Sequence, residues 1–169
     1  MLKPIRRKSA RAGRAQFFIV GSQYNAHYVD SMVRAARAEL KGAGAKNIHV
    51  VRVPGAFEIP IVASRLARRA AENLQADGEA TAIICLGVIL RGATTHAEHI
   101  GTSVSEALMQ IQLRYEVPVI HEVLLLENEQ QARERCLGRK HNRGREAAQT
   151  ALAMAEVMRE VGNVLRARL

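Results

Sequence analysis

The stretch that decides the fold is Thr81–Leu90, which reads TAIICLGVIL and is almost wholly apolar. A central strand of a parallel sheet is covered by helices on both faces, so its sequence is a continuous apolar run and not an alternation of apolar and polar residues. The stretch therefore predicts a buried central strand. Working outward, apolar segments at residues 17–21 (FFIVG) and 48–53 predict two earlier strands, and residues 118–126 predict a fourth.

Helical patterns separate these strands. Apolar residues recur at spacings of three and four after the first strand (Val29, Met32, Val33, Ala36 and Leu40) and after the third (Ile100, Val104, Leu108, Ile111 and Tyr115). Gly42 and Gly44 predict the end of the first of these helices. Pro60 predicts the first turn of another helix, over residues 60–74, because proline is tolerated where the helical N–H has no partner.

Two more helices are predicted after the fourth strand, a short one at residues 129–136 and a long one at residues 146–166. The long helix carries one apolar stripe, made of Ala148, Leu152, Ala155, Met158, Val161 and Leu165. This alternation predicts an α/β fold, a three-layer sandwich around a four-stranded parallel sheet with right-handed crossovers. In open sheets of this kind ligands bind beyond the carboxyl ends of the strands, so we expect the functional residues in those loops.

Composition and charge predict the domain organisation. The chain has 169 residues, of which 48% are hydrophobic and 24% charged, as in an ordinary one-domain protein. Residues 1–15 contain six Lys or Arg and no Asp or Glu, so they hold six of the nine net positive charges. We therefore predict a basic N-terminal arm at residues 1–15 and a single domain at residues 16–169. The domain itself is only mildly basic, which argues against a nucleic acid partner, and a nucleic-acid-binding module is a rival that rests on the arm alone.

Several classes of protein are disfavoured by the sequence. No apolar run approaches the roughly 20 residues that span a bilayer, and no secretory apolar segment precedes Gln16, so we predict a cytoplasmic protein without a membrane partner. Cys85 and Cys136 lie far apart, and neither has Cys or His neighbours at the spacing of a structural metal site. The sequence therefore supports neither a disulfide framework nor a metal site.

The first candidate site follows the third strand, where residues 91–96 read RGATTH. Small residues allow the backbone to approach a ligand, and two Thr side chains can cap the next helix, whose free N–H groups attract an anion such as phosphate. A helix terminus contributes only about 0.3–2 kcal/mol per charge, so a second, cationic contact is required. His96 is either a proton carrier near neutral pH or a structural residue at the helix start.

Other loops carry further candidates. After the second strand, residues 53–60 read VPGAFEIP, where Glu58 either accepts hydrogen bonds from ligand hydroxyls or is simply favoured by the helix dipole. After the first strand, Tyr24 either stacks on a planar ligand or covers the edge of the core. The basic tract at residues 133–145 is either a solvated surface or the source of the arginine that a phosphate at residues 91–96 needs.

Together these motifs resemble the 6,7-dimethyl-8-ribityllumazine synthase family. The resemblance runs from about residue 17 to residue 161, and its most specific parts are VPGAFEIP and RGATTH, in the same order and at matching separation. Three shorter strings support it, namely PVI (118–120), EN (127–128) and NRG (142–144). Two rare strings at matching separation make a chance match implausible.

The resemblance implies flavodoxin-like strand order and an active site shared between adjacent subunits of a homopentamer. A sixty-subunit shell and riboflavin synthase as a partner belong to the same set of implied properties. The implied reaction has two small-molecule substrates, 5-amino-6-(D-ribitylamino)uracil and 3,4-dihydroxy-2-butanone 4-phosphate. Their condensation gives 6,7-dimethyl-8-ribityllumazine, phosphate and water, without a metal or an organic cofactor.

Motif positions in the resemblance also imply the site residues. The pyrimidine substrate would be contacted by Tyr24, Ala56, Phe57, Glu58, Val88, Ile89, Leu90 and, across the subunit interface, His121. The phosphate of the second substrate would be bound by Ala93, Thr94 and Arg135, and His96 would transfer protons.

The chain departs from the family pattern on one wall of the implied site. The residue after PVI is commonly Phe and is followed by Gly, whereas here they are His121 and Glu122. Arg143 replaces the usual Lys, which keeps the charge and changes its shape. His141 stands where Gly is common in the loop of shell-forming members. These departures leave one rival open, a weakly active or non-catalytic paralogue that binds a flavin or lumazine in a shell.

Overall fold

The computed structural model describes residues 12–77, 80–138 and 141–167. Within these residues, the strands of one sheet are β1 (Gln16–Ser22), β2 (Asn47–Val53), β3 (Thr81–Leu90) and β4 (Val119–Leu126). The α-helices are α1 (Ala26–Gly42), α2 (Ile59–Asp77), α3 (His96–Tyr115), α4 (Glu129–Cys136) and α5 (Arg143–Arg166). A 3-10 turn at Ala56–Glu58 leads into α2.

All strand pairs are parallel, and their order across the sheet is β2-β1-β3-β4. The register places Gln16 opposite both Asn47 and Thr81, and Ile83 opposite Val119. Because β1 and β3 lie in the middle, they are covered on both faces, and every residue of β3 between its two ends is buried. This confirms the three-layer α/β fold with flavodoxin-like strand order.

The core has two halves, one on each face of the sheet. Alternate residues of β3 supply them: Ile84 and Leu86 pack with α1 and α5, whereas Ile83 and Cys85 pack with α2 and α3. This alternation follows from the two-residue period of a strand. Full burial of one such aliphatic side chain stabilises the fold by about 1.5–3 kcal/mol, so the two halves together hold the helices on the sheet.

Helix α5 begins at Arg143, three residues before the predicted start at residue 146. The reason is Asn142, whose Oδ1 accepts a hydrogen bond from the N–H of Gly144 at 3.0 Å and so caps the helix. Gly144 also permits the close approach of α1, because a Cβ at this position would overlap the backbone carbonyl of Met32. The NRG string is therefore the cap and the first two residues of α5.

The predicted apolar stripe of α5 is only partly buried. Ala148, Leu152 and Ala155 lie in the core, but Val161 and Leu165 are exposed. The core therefore covers the stripe only in the first half of the helix. Those turns present apolar side chains to the surface of the single chain.

Near the N-terminus, Ala12 and Ala15 are buried, and the N–H of Ala12 donates to the carbonyl of Ala43 at 3.1 Å. Most of the predicted arm lies outside the described residues, so the division at residues 15 and 16 stays a prediction. None of the described helices is long and apolar enough to cross a membrane.

Candidate active site

The loops after β1 and β2 meet at the carboxyl edge of the sheet. The backbone N–H groups of Gln23 and Tyr24 both donate to the carbonyl of Pro54, each at 3.1 Å. The Tyr24 ring lies over Gly55, since a Cβ built on Gly55 would be 3.1 Å from Cδ2 of the ring. The tyrosine is 73% exposed, so its free face is turned away from the core.

The 54–60 loop is held by Glu58. Its Oε2 accepts a hydrogen bond from the N–H of Gly55 at 2.8 Å, which is the carboxylate half of a capping box. Of the two interpretations left open by the sequence, the structural one is therefore present in the single chain, and it occupies one carboxylate oxygen. Ala56 is buried beneath the loop, whereas Phe57 is 61% exposed beside it.

The turn after β3 is held in place by Arg91, for which the sequence predicted no individual role. Its guanidinium contacts Glu98 of α3 at 2.6 Å and Glu127 after β4 at 3.1 Å. Its backbone N–H donates to the carbonyl of Leu126 at 2.8 Å. The sequence signal for these contacts was a cation directly after the central strand, with acids near the starts of two neighbouring segments.

The turn itself, residues 92–96, is open to solvent. Gly92, Ala93, Thr94, Thr95 and His96 are all exposed. Thr95 precedes the first residue of α3 in a helical conformation and makes no side-chain cap, so the prediction that Thr side chains cap this helix was wrong. Among the described residues, the first N–H groups of α3 have no side-chain acceptor, which is the arrangement of an anion-binding helix terminus.

The last residues of β3 contribute little side-chain surface to this edge. Val88 packs in the core half beneath α1 and α5, and Ile89 in the half beneath α2 and α3. The carbonyl of Val88 accepts a hydrogen bond from Nδ2 of Asn25 at 2.8 Å. Leu90 is partly buried at the strand end. We name the residues at this edge, Tyr24, residues 56–58 and residues 92–96, the strand-end site.

The remaining two predicted residues, His121 and Arg135, lie elsewhere. They line a cleft of about 320 Å³ along the outer edge of β4, together with Glu122, Val123, Leu124, Leu125, Leu126, Gln131 and Arg143. We name this the β4 cleft. In the described part of the chain, Arg135 has no ion-pair or hydrogen-bond partner, so its guanidinium is available to an anion.

His121 contacts helix α3. Its Nε2 lies 2.8 Å from Oγ of Ser105. The Ser105 hydroxyl donates its hydrogen to the carbonyl of Gly101 at 2.7 Å. Desolvation lowers the pKa of His121 below its ordinary value of 6.5, against a smaller opposite effect of its own backbone carbonyl. The ring is therefore predominantly neutral at neutral pH and offers a flat face with hydrogen-bonding edges.

On the other face of β4, Glu122 approaches α5. Its Oε2 is 3.3 Å from Nε of Arg143, while Nη1 of Arg143 is 2.7 Å from Oε2 of Glu146. Burial raises the pKa of Glu122 from 4.5 to about 7, with Arg143 acting in the opposite direction. The hydrogen bond to Glu146 raises the pKa of Arg143, and the charge of Glu122 adds a smaller effect in the same direction.

The single chain does not bring all of the predicted residues together. Within the residues described, no hydrogen bond or ion pair joins the strand-end site to His121 or Arg135. The same part of the chain contains no cluster of three or more His, Cys, Asp or Glu arranged for a metal. The predicted residues thus fall into two half-sites, one rich in backbone N–H groups and the other containing the guanidinium of Arg135 and the neutral ring of His121.

Comparison with known proteins places the chain in a family. A family model described as 6,7-dimethyl-8-ribityllumazine synthase matches residues 14–159. The 6,7-dimethyl-8-ribityllumazine synthase of Stenotrophomonas maltophilia is 41% identical over 149 residues, which cover 87% of this chain and 91% of that protein. The enzymes of the same name from Xanthomonas campestris and Xanthomonas oryzae are 41% and 40% identical over 146 residues, covering 85% of this chain and 90% of each. The chain therefore belongs to the 6,7-dimethyl-8-ribityllumazine synthase family.

Proposed function

We propose that this protein is a 6,7-dimethyl-8-ribityllumazine synthase, a transferase of riboflavin biosynthesis. It condenses 5-amino-6-(D-ribitylamino)uracil with 3,4-dihydroxy-2-butanone 4-phosphate. The observation that carries the proposal is the family match over residues 14–159, which includes both strand-end motifs. The parallel sheet supports it, because both motifs lie at the same carboxyl edge of the sheet.

In the proposed reaction, the 5-amino group attacks the ketone to form an imine with loss of water, phosphate leaves, and the ring closes with loss of a second water. Ala56, Phe57 and Glu58 hold the ribitylamino-pyrimidine against Tyr24. Residues 93–94 bind the phosphate at the start of α3, and His96 moves protons between the two substrates. Each step needs the substrates in register, which the rigid sheet edge supplies.

We further propose that the two half-sites join across an interface between copies of the chain. The His121 and Arg135 side chains of one copy would then face the strand-end site of its neighbour. Exposed apolar side chains on α2 and α3, namely Ile61, Met109 and Leu113, support self-association. A pentamer, its closure into a shell and a riboflavin synthase partner stay predictions of the resemblance, and a cytoplasmic location stays a prediction from the absence of long apolar runs.

The reaction is tested by mixing both substrates with the protein and following the absorbance and fluorescence of the lumazine product. We expect product at a rate that is proportional to protein concentration. Absence of product at high protein concentration, together with binding of riboflavin or lumazine, would instead identify the non-catalytic paralogue. Multi-angle light scattering on the same sample gives the number of subunits.

A further inference from the structure

The β4 cleft contains a carboxylate that the proposed reaction does not use. Glu122 lies 3.3 Å from Arg143, and its side chain is only 14% exposed. The second acid on Arg143, Glu146, is 39% exposed. Glu122 is thus the inner of two acids that share one guanidinium.

Among the described residues, the charges around Glu122 cancel when the charge of Glu122 itself is included. Arg143 and Glu146 face it from α5, and Arg135 and the buried thiol of Cys136 face it from α4. Burial raises the pKa of Cys136 to about 11, so the thiol is uncharged at neutral pH. Two guanidinium groups and two carboxylates therefore give no net positive charge. An anion entering this cleft gains little Coulombic attraction while both acids are ionised.

The contact between Glu122 and Arg143 is not a well-formed hydrogen bond. Nε of Arg143 is buried and has no hydrogen-bond partner among the described residues, although the Glu122 oxygen is close to it. Burial of a carboxylate that is not fully hydrogen-bonded disfavours its charged form. Consistent with this, burial raises the pKa of Glu122 to about 7. Glu122 can therefore become neutral without loss of a strong interaction.

We propose that Glu122 competes with a bound phosphate group for Arg143, so that anion binding in the β4 cleft is coupled to the uptake of a proton by Glu122. The inference rests on the proposed function for the assignment of the anion as the substrate's phosphate. Protonation changes the cleft from neutral to a single positive charge, and the proton is released to solvent when phosphate departs. Glu122 is a specificity-determining residue in this account, because it weakens binding of anions at alkaline pH.

Inorganic sulfate is a suitable probe, because it keeps two negative charges between pH 6 and pH 8, whereas phosphate itself titrates. Isothermal titration calorimetry in buffers of different ionisation enthalpy measures both its affinity and the protons taken up. For a group of pKa about 7, linkage predicts uptake of about 0.9 proton at pH 8 and about 0.1 proton at pH 6. Glu122→Gln should remove this uptake and bind sulfate about tenfold more tightly than wild type at pH 8, but within about twofold at pH 6.

Two control variants locate the effect. Glu146→Gln removes the more exposed acid on the same guanidinium and should leave the proton uptake in place. Arg135→Ala should weaken sulfate binding, which places the bound anion in the β4 cleft.

Three results would overturn the inference. They are no detectable sulfate binding to wild type, equal proton uptake by wild type and Glu122→Gln, and weaker binding by Glu122→Gln at both pH values. The last result would mean that Glu122 is needed to orient Arg143. The product assay distinguishes these failures from failure of the proposed function: product without coupled uptake rejects only the inference, and coupled uptake without product rejects only the function.

Discussion

At the residue scale, His96 is the group that the proposed reaction uses to move protons. It is the first residue of α3 and is exposed at the strand-end site. Orientation of two bound reactants can supply effective molarities of about 10⁵–10⁸ M, whereas a general acid or base adds about 10²–10⁴-fold. We therefore infer that His96 assists the reaction and that orientation of the substrates makes the larger contribution.

We expect His96→Ala to lower kcat by about 10²–10⁴-fold while product formation stays measurable. The matched control is His99→Ala, which removes another exposed histidine from the first turn of the same helix and should leave kcat near wild type. Steady-state kinetics on both variants give the comparison. Complete loss of turnover by His96→Ala with intact substrate binding would contradict the ranking of orientation above proton transfer.

Glu58 has one observed role, as the acceptor for Gly55, and one proposed role, as a substrate ligand, and substitutions can separate them. Glu58→Ala removes the acceptor for Gly55 and should cost about 0.5–2 kcal/mol of stability. Glu58→Gln keeps an oxygen acceptor, so we expect a melting temperature near wild type. If the charged carboxylate also binds substrate, Glu58→Gln loses that hydrogen bond, and we expect kcat/KM to fall roughly 10- to 100-fold. If Glu58→Gln restores both stability and activity, Glu58 acts only as a cap.

At the element scale, the packing of α1 on α5 depends on Gly144. A Cβ there would meet the backbone of Met32, which cannot move without shifting a helix. We expect Gly144→Ala to destabilise the fold by about 1–3 kcal/mol or more. Gly162→Ala is the control in the same helix, because its nearest neighbour is the mobile end of Arg166 at 3.7 Å, and it should stabilise by about 0.5–1 kcal/mol. Thermal unfolding at one protein concentration measures both; equal effects would contradict this packing account.

The sequence predicts the elements well where the pattern is local. The apolar run of β3 and the periodicity of α1 depend only on burial, and both were confirmed. The start of α5 was predicted too late, because the apolar stripe that marks the helix begins only at Ala148, whereas the helix is capped by Asn142 through a contact with Gly144. The sequence also did not indicate that the last turns of α5 are exposed, since a helix period does not show where the supporting sheet ends.

The site was predicted less completely than the fold. The motifs predicted which loops carry candidate residues, because parallel strands all present their carboxyl ends at one edge. They did not predict that Glu58 is already bonded to Gly55, or that Arg91 joins two segments, since both contacts depend on the paths of loops. The interaction of Glu122 with Arg143 likewise joins residues that are distant in sequence.

At the scale of the whole molecule, the central claim is that one active site is built from two copies of the chain. The strand-end site and the β4 cleft carry complementary chemistry, helix N–H groups in one and an unpaired arginine in the other. In the described chain they are not joined by any hydrogen bond or ion pair that involves His121 or Arg135. Assembly would supply the cationic contact that a helix terminus alone does not provide for tight phosphate binding.

The most direct test is complementation between two impaired variants. His96→Ala keeps an intact β4 cleft, and Arg135→Ala keeps an intact strand-end site, so random co-assembly at equal amounts should restore product formation to about a quarter of the wild-type rate. Each variant assembled alone should stay far below that rate. Lumazine formation by the mixture that does not exceed the mean of the two separate variants would contradict a site shared between copies.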